Sequence, residues 1–321
     1  MLGIVGKRVT KALHIWFTEF KYMNQFQTLR VNPIDSADIS IIEDNVETNL
    51  GLISDWLEPA GGPDLFKKGV LIGAGPSLGK LLKAGFIHKD MFPSDKYVTF
   101  TCKHAIPLLM EHGFTDLYCS VLDPRPIDGI STHDVKRRDL YESADPKRVT
   151  FLVASMTSPT VTTYLLDRGY TVKGWHADSL ALKKHKERIP FSIGGGTNSI
   201  LRAIGIGSTC FGIREFNLIG LDSSLEQPSK EVEADPNSYL YTDKDPVTGS
   251  PKYLKSFCGS GEGLHSNKYI ALWTTGELAA SLQDIESFFT HAPQMGIKFN
   301  VLGTDKGRSL IGQLADSFGI I

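Results

Sequence analysis

An α/β fold, Rossmann-like with a doubly wound and mostly parallel sheet, is predicted by three features of the chain. Short apolar runs recur from residue 69 to the end, helical stretches separate them, and a glycine turn follows the first run. Alternation of this kind implies βαβ crossovers and a sheet covered on both faces. Ligands of such sheets bind beyond the carboxyl ends of the strands, so the strand ends are where chemistry is sought.

The elements follow in chain order. Val9, Leu13, Trp16 and Phe20 fall on one helical face near the N-terminus. That helix is expected to pack on the body or a neighbouring subunit, which makes a homo-oligomer through it an expectation; a membrane-surface contact is the alternative. Residues 1–65 are read as a helical preface, closed by the breaker-rich "EPAGGPDLFKKG". Residues 66–321 are read as the main domain. Its strands are "GVLIG", "YVTFT", "LYCSVL", "RVTFLVAS", "TVKGW", "FNLIGL" and "KFNVLG". Helices fit at "SLGKLLKAGF", "AIPLLMEHG", "SPTVTTYLLDRG" and "TNSILRAIGIGSTCFG". Residues 224–269 break the alternation; long, polar and dotted with Pro and Gly, they are expected to form a lid or an arm.

Composition narrows the function classes. A net charge of −2, from 34 basic and 36 acidic residues, gives no global attraction to nucleic acid, and none is expected as a partner. No run approaches the length of about 20 apolar residues that a transmembrane helix needs. The cysteines at 102, 119, 210 and 258 lack metal-site spacing and read as thiols of a reducing compartment. The basic, apolar N-terminus has no small-residue cleavage site, so a cytoplasmic location is expected.

The turn Gly73-Ala74-Gly75-Pro76-Ser77 passes from strand to helix, where free N–H groups and the helix dipole favour an anion. It matches neither standard phosphate loop. A dinucleotide fingerprint needs glycine at Leu78, and a P-loop needs a hydroxyl at Leu81. The turn is either a nucleotide phosphate cradle of another kind or a structural connection.

Asp123 and Asp222 each follow an apolar strand and are expected on the same rim as the turn. As a pair they are candidate Mg²⁺ ligands and catalytic groups beside phosphate; separately, each could simply cap a local turn, at Pro124 or through Ser223 and Ser224. A second glycine turn, Gly194 to Gly196, leads into Thr197, Asn198 and Ser199, which can cap the next helix or contact a nucleotide. Arg125 could fork onto a phosphate or form a surface ion pair. His104 and, in the insertion, His265 are candidate acid–base groups or structural histidines. The charge cluster "DVKRRD" reads as a solvated surface.

With these residues in hand, the chain resembles the 6-hydroxymethylpterin diphosphokinase MptE-like proteins, marked by a "GAGPSL" turn after a strand. "VLIGAGPSL", "SVLDP" and "AIGIGSTCFGIREFNLIGLD" carry the resemblance over residues 45–225, with "EDNVETNL" similar to an asparagine-bearing helix of that family. The resemblance implies a nucleotide-dependent transferase that moves diphosphate from ATP to a hydroxymethylpterin-like hydroxyl with Mg²⁺. Gly73, Gly75, Pro76, Ser77, Gly195, Thr197, Asn198 and Arg125 would then hold the nucleotide, and Asp123 and Asp222 the metal. Related bacterial proteins are motility-associated factors tied to flagellin glycosylation, and the "GPSL" turn is also similar to sialyltransferases that use a CMP-linked sugar. A glycosyltransferase acting on a nucleotide-sugar and a small-molecule or glycan acceptor, assisted by His265 or Asp243, is therefore the alternative. A non-catalytic nucleotide-binding protein is the third reading.

Overall fold

The computed structural model describes residues 37–129, 135–224, 254–259, 269–303 and 309–320. The predicted N-terminal amphipathic helix and the oligomer contact assigned to it lie outside these residues, as does most of the insertion. Helix α1 (Ile39–Leu52) comes first, followed by β1 (Lys68–Ile72), α2 (Pro76–Lys83), β2 (Tyr97–Cys102), α3 (Ile106–Glu111) and β3 (Leu117–Val121). The short α4 (Asp139–Glu142), β4 (Val149–Ala154), α5 (Pro159–Asp167) and β5 (Thr171–Trp175) come next. After a 3-10 turn at Leu180–His185 the chain forms α6 (Ser199–Cys210) and β6 (Glu215–Ile219). It ends with β7 (Leu254–Gly259), β8 (Tyr269–Thr274), α7 (Gly276–His291), β9 (Lys298–Leu302) and α8 (Leu310–Ser317).

Seven strands form one sheet in the order β5-β4-β3-β2-β1-β6-β9, every pairing parallel. Each of the seven predicted strands is present. In β1, β2 and β4 successive residues are buried, not alternate ones, because helices cover both faces. Helix α6 crosses the centre of the sheet over β1, β2 and β3, presenting Ile200, Ala203, Ile204 and Gly207 to the core. Helix α5 begins with Pro159 at its first turn, where a missing N–H costs nothing, and stops at Gly169, whose φ of 74° suits glycine.

The insertion departs from its sequence reading at one end. Leu254–Gly259 pairs antiparallel with Tyr269–Thr274 in a separate two-stranded sheet, so a strand lies inside the stretch expected to be irregular. Helix α1 packs on α5 and on the Leu180–His185 turn. Beyond it Trp56 pairs with Gly174 and continues the sheet past β5 by one bridge, and its indole covers the glycine where a Cβ would collide. Among the described residues, no helix is long and apolar enough to cross a membrane.

Candidate functional site

From β1 the chain steps outward through β2 to β5, then returns to the other side of β1 with β6. The order therefore reverses between β1 and β6, the place where open α/β sheets form their ligand crevice. The glycine turn and the loop after β6 meet there. The Gly73 N–H donates to the Ile219 carbonyl at 2.8 Å and the Gly75 N–H to the Gly220 carbonyl at 2.7 Å. A Cβ on either glycine would lie 2.6 Å from the Gly220 oxygen, so both glycines are needed for the loops to touch. Pro76 brings no N–H to the start of α2, and the Ser77 N–H donates to Asp222 Oδ2 at 2.8 Å. The anion expected at this helix N-terminus is thus the chain's own carboxylate, 145 residues away in sequence. Ser77 Oγ, beside it, is buried and has no hydrogen-bond partner.

Asp123, beyond β3, occupies a different part of the rim. Lys103 Nζ lies 2.8 Å from Oδ2, Arg125 Nε 2.7 Å from Oδ1, and Arg137 Nε 3.4 Å from Oδ2. Arg125 and Asp123, considered separately as a phosphate fork and a metal ligand, bind each other. Burial pushes the Asp123 carboxyl up, but the hydrogen bond from Arg125 and the charges of Lys103 and Arg125 outweigh it and hold the group far below the ordinary carboxylate range. Lys103 and Arg137 are themselves almost wholly covered, and among the described residues Asp123 is the one carboxylate within ion-pair distance of either. Burying two cations on one carboxylate leaves net positive charge in a low-dielectric place, which is costly unless an anion joins them. Arg137 Nε and the hydroxyl of fully buried Tyr141, whose ring lies 5.9 Å from Lys103 Nζ, lack hydrogen-bond partners. Arg137 belongs to the "DVKRRD" cluster read as solvated; it is instead 7% exposed, because its guanidinium folds inward against Gly129 and donates to the Pro126 carbonyl at 2.7 Å.

The two acids stand on the same rim, Asp222 reaching the turn after β1 and Asp123 reaching Lys103 at the end of β2. Asp123, ringed by three cationic side chains, does not fit a divalent metal as it stands.

The fold has a counterpart among solved structures. The chain resembles a MAf glycosyltransferase in fold. Against the MAf glycosyltransferase of Magnetospirillum magneticum AMB-1 the TM-score is 0.53 at 12% identity, over 87% of this chain and 40% of that one. The chain thus spans less than half the length of the MAf structure, and the likeness is one of fold. No family model matches the chain, including any for the MptE-like proteins, and no curated protein matches it.

Within this MAf-like sheet the second glycine turn has a structural task. Gly195 abuts the Phe288 ring, the Thr197 N–H donates to Asp284 Oδ2 at 2.6 Å, and Asn198 caps α6 by accepting from the Leu201 N–H at 3.0 Å. The Asn198 Nδ2 donates to Ser281 Oγ at 2.6 Å, so the amide fastens α6 to α7. His104 is half-buried at the end of β2 beside Lys103; His265 and Asp243 lie outside the described residues.

Two rim residues, Lys103 and Arg137, escape the sequence reading; a lysine directly after a strand, in "TCKH", was the available signal for the first. Asn45 and Asn49 of α1 lie in "EDNVETNL", where the asparagines were noted but not their partners. Asn45 Nδ2 donates to the carbonyls of Pro124 and Met156, each at 3.1 Å, and Asn49 Nδ2 to those of Ser155 at 2.8 Å and Thr157 at 2.6 Å. One turn apart on a single helix face, they hold the loops after β3 and β4 and so fix the backbone next to Asp123. His176, at the end of β5, stacks on Trp56 with centroids 4.4 Å apart, and burial pushes its pKa down to about 4.

Proposed function

We propose that the chain is the nucleotide-binding part of a glycosyltransferase that uses a nucleotide-sugar, and that Lys103 and Arg137, with Arg125, meet the phosphate charge beside Asp123. The observation that carries the reading is the buried excess of positive charge at the ends of β2 and β3. The fold likeness to a MAf glycosyltransferase supports it, as does the unpartnered Ser77 hydroxyl at the crevice between β1 and β6. In such a transfer the bond from the anomeric carbon to the phosphate oxygen breaks, and the electron pair remains on that oxygen. The acceptor hydroxyl bonds to the carbon and gives its proton to a base. Cations already fixed where the leaving charge appears stabilise it without reorganisation.

The test is calorimetric titration of CMP, UDP, ATP and nucleotide-sugars, each with Mg²⁺ and with EDTA, into the wild-type chain and Lys103→Met. Metal-independent binding, weakened about tenfold or more in the variant, is expected from the loss of one charge-assisted contact. Binding of ATP that requires Mg²⁺ and ignores Lys103 would return the reading to diphosphate transfer. Silence toward every nucleotide would remove both.

A further inference from the structure

The opposite edge of the sheet carries a feature that the rim does not use. Segments that precede parallel strands lie together at their amino ends, so Leu65 and Phe66 before β1 share an edge with Phe86 and Met91 before β2. Leu65 is 80% and Phe66 91% exposed, and Phe86 stands out almost as far. Exposed apolar groups gathered at one edge mark an interaction surface.

Phe66 is not on a loose loop. Asp64 Oδ1 accepts from the N–H groups of Phe66 at 2.9 Å and Lys67 at 3.2 Å, and the Asp64 N–H donates to the Gly212 carbonyl at 2.9 Å. The backbone that carries the ring is therefore held by its own turn, and little main-chain order need be created when the ring binds. Asp64 and Lys67, on either side of it, line a cavity of about 330 Å³ whose walls include Tyr97, Tyr118 and Phe211 and whose rim includes Asp116. That volume lies at the small end of binding pockets and suits an aromatic side chain better than an extended ligand.

We propose that this edge is a two-fold interface between copies of this chain, in which Phe66 of each copy enters the aromatic cavity of the other. A knob and a hole side by side on one surface are self-complementary, which is the condition for an isologous dimer. Charge agrees: the rim carries Lys67 and Asp116, opposite in sign, and among the described residues neither has an ion pair within its own chain. A two-fold axis brings each toward the other's counterpart.

Sedimentation equilibrium of the full chain over a concentration series tests the interface. A wild-type dimer is expected, with Phe66→Asp raising its dissociation constant about thirtyfold or more, as loss of a central aromatic anchor does. Since Phe66 is exposed, the substitution leaves the core intact, and circular dichroism checks this. A mixture of wild type and Phe66→Asp retains one knob in one hole and should associate with intermediate strength; Lys67→Glu, which sets like charge against Asp116, should weaken the dimer as well. A wild-type chain that stays monomeric throughout, or a Phe66→Asp chain that associates as tightly as wild type, would overturn the proposal.

Discussion

The backbone N–H of Ser77 donates to the carboxylate of Asp222 at 2.8 Å, tying the first turn of α2 to the end of β6. Asp222→Ala removes this cap and leaves a partly buried donor unpaired. We expect a loss of about 1 to 2 kcal/mol by urea denaturation, while Asp222→Asn, which keeps an acceptor, should cost less than half as much. Equal losses in both variants would show that the charge, not the hydrogen bond, matters.

Asp123 is the shared counter-ion of two buried cations, so Asp123→Asn should cost about 3 kcal/mol, the range found when one partner of a buried pair is removed. The pH dependence has a definite sign. The folded-state pKa lies below the unfolded value, so this contribution is present in full above about pH 4 and is lost as the pH falls toward the folded pKa. Melting temperatures recorded from pH 6 down to pH 2 should fall more steeply for the wild type than for the variant.

Lys103→Met should behave in the opposite way. It reduces an excess of positive charge while keeping side-chain length, so the melting temperature should hold or rise even as nucleotide affinity falls. A variant that loses stability as Asp123→Asn does would mean that Lys103 is there for the fold.

The seven strands were legible because short, mostly apolar runs, nearly continuous in β1 and β4 and interrupted by a polar residue in the edge strands β5 and β9, alternate with helical stretches. The acids at 123 and 222 were legible as carboxylates following such runs. Their partners were not. Asp222 binds Ser77, 145 residues earlier, and Asp123 draws Arg137 out of a charge run whose spacing looks solvated; both pairings depend on how loops lie across the rim. The two asparagines of α1 were visible as residues, but their acceptors are carbonyls of loops more than 75 residues away, which no local pattern marks. Helices α7 and α8 do carry a local mark, the hydroxyl caps Thr275 and Ser309, each accepting from the N–H three residues on.

Asn49 is wholly buried and donates to two carbonyls, so Asn49→Ala should cost about 2 to 3 kcal/mol by leaving both acceptors unmet. Asn45→Ala should cost less, since its bonds are longer at 3.1 Å. If α1 also positions the Asp123 loop, nucleotide affinity should drop in both variants under conditions where each remains folded.

His176 supplies a second pH effect, at milder acidity. Burial lowers its pKa to about 4 from an ordinary value of about 6.5, so the unfolded chain takes up a proton that the folded chain refuses. Stability should fall as the pH drops between those two values. His176→Phe, which keeps a ring against Trp56 and cannot titrate, should flatten that part of the profile.

Strand β1 lies in the middle of the sheet, yet its two neighbours arrive at very different times. Tyr97 of β2 is made soon after Lys68, but Glu215, which forms an ion pair with Lys68 across the β1–β6 boundary, follows 147 residues later. A growing chain therefore carries a complete five-strand half whose edge strand, β1, presents an open row of N–H and C=O groups until β6 emerges. Fragments that end before residue 215 should be prone to aggregation through that edge, and the rate of refolding should be set by the closure of this long loop.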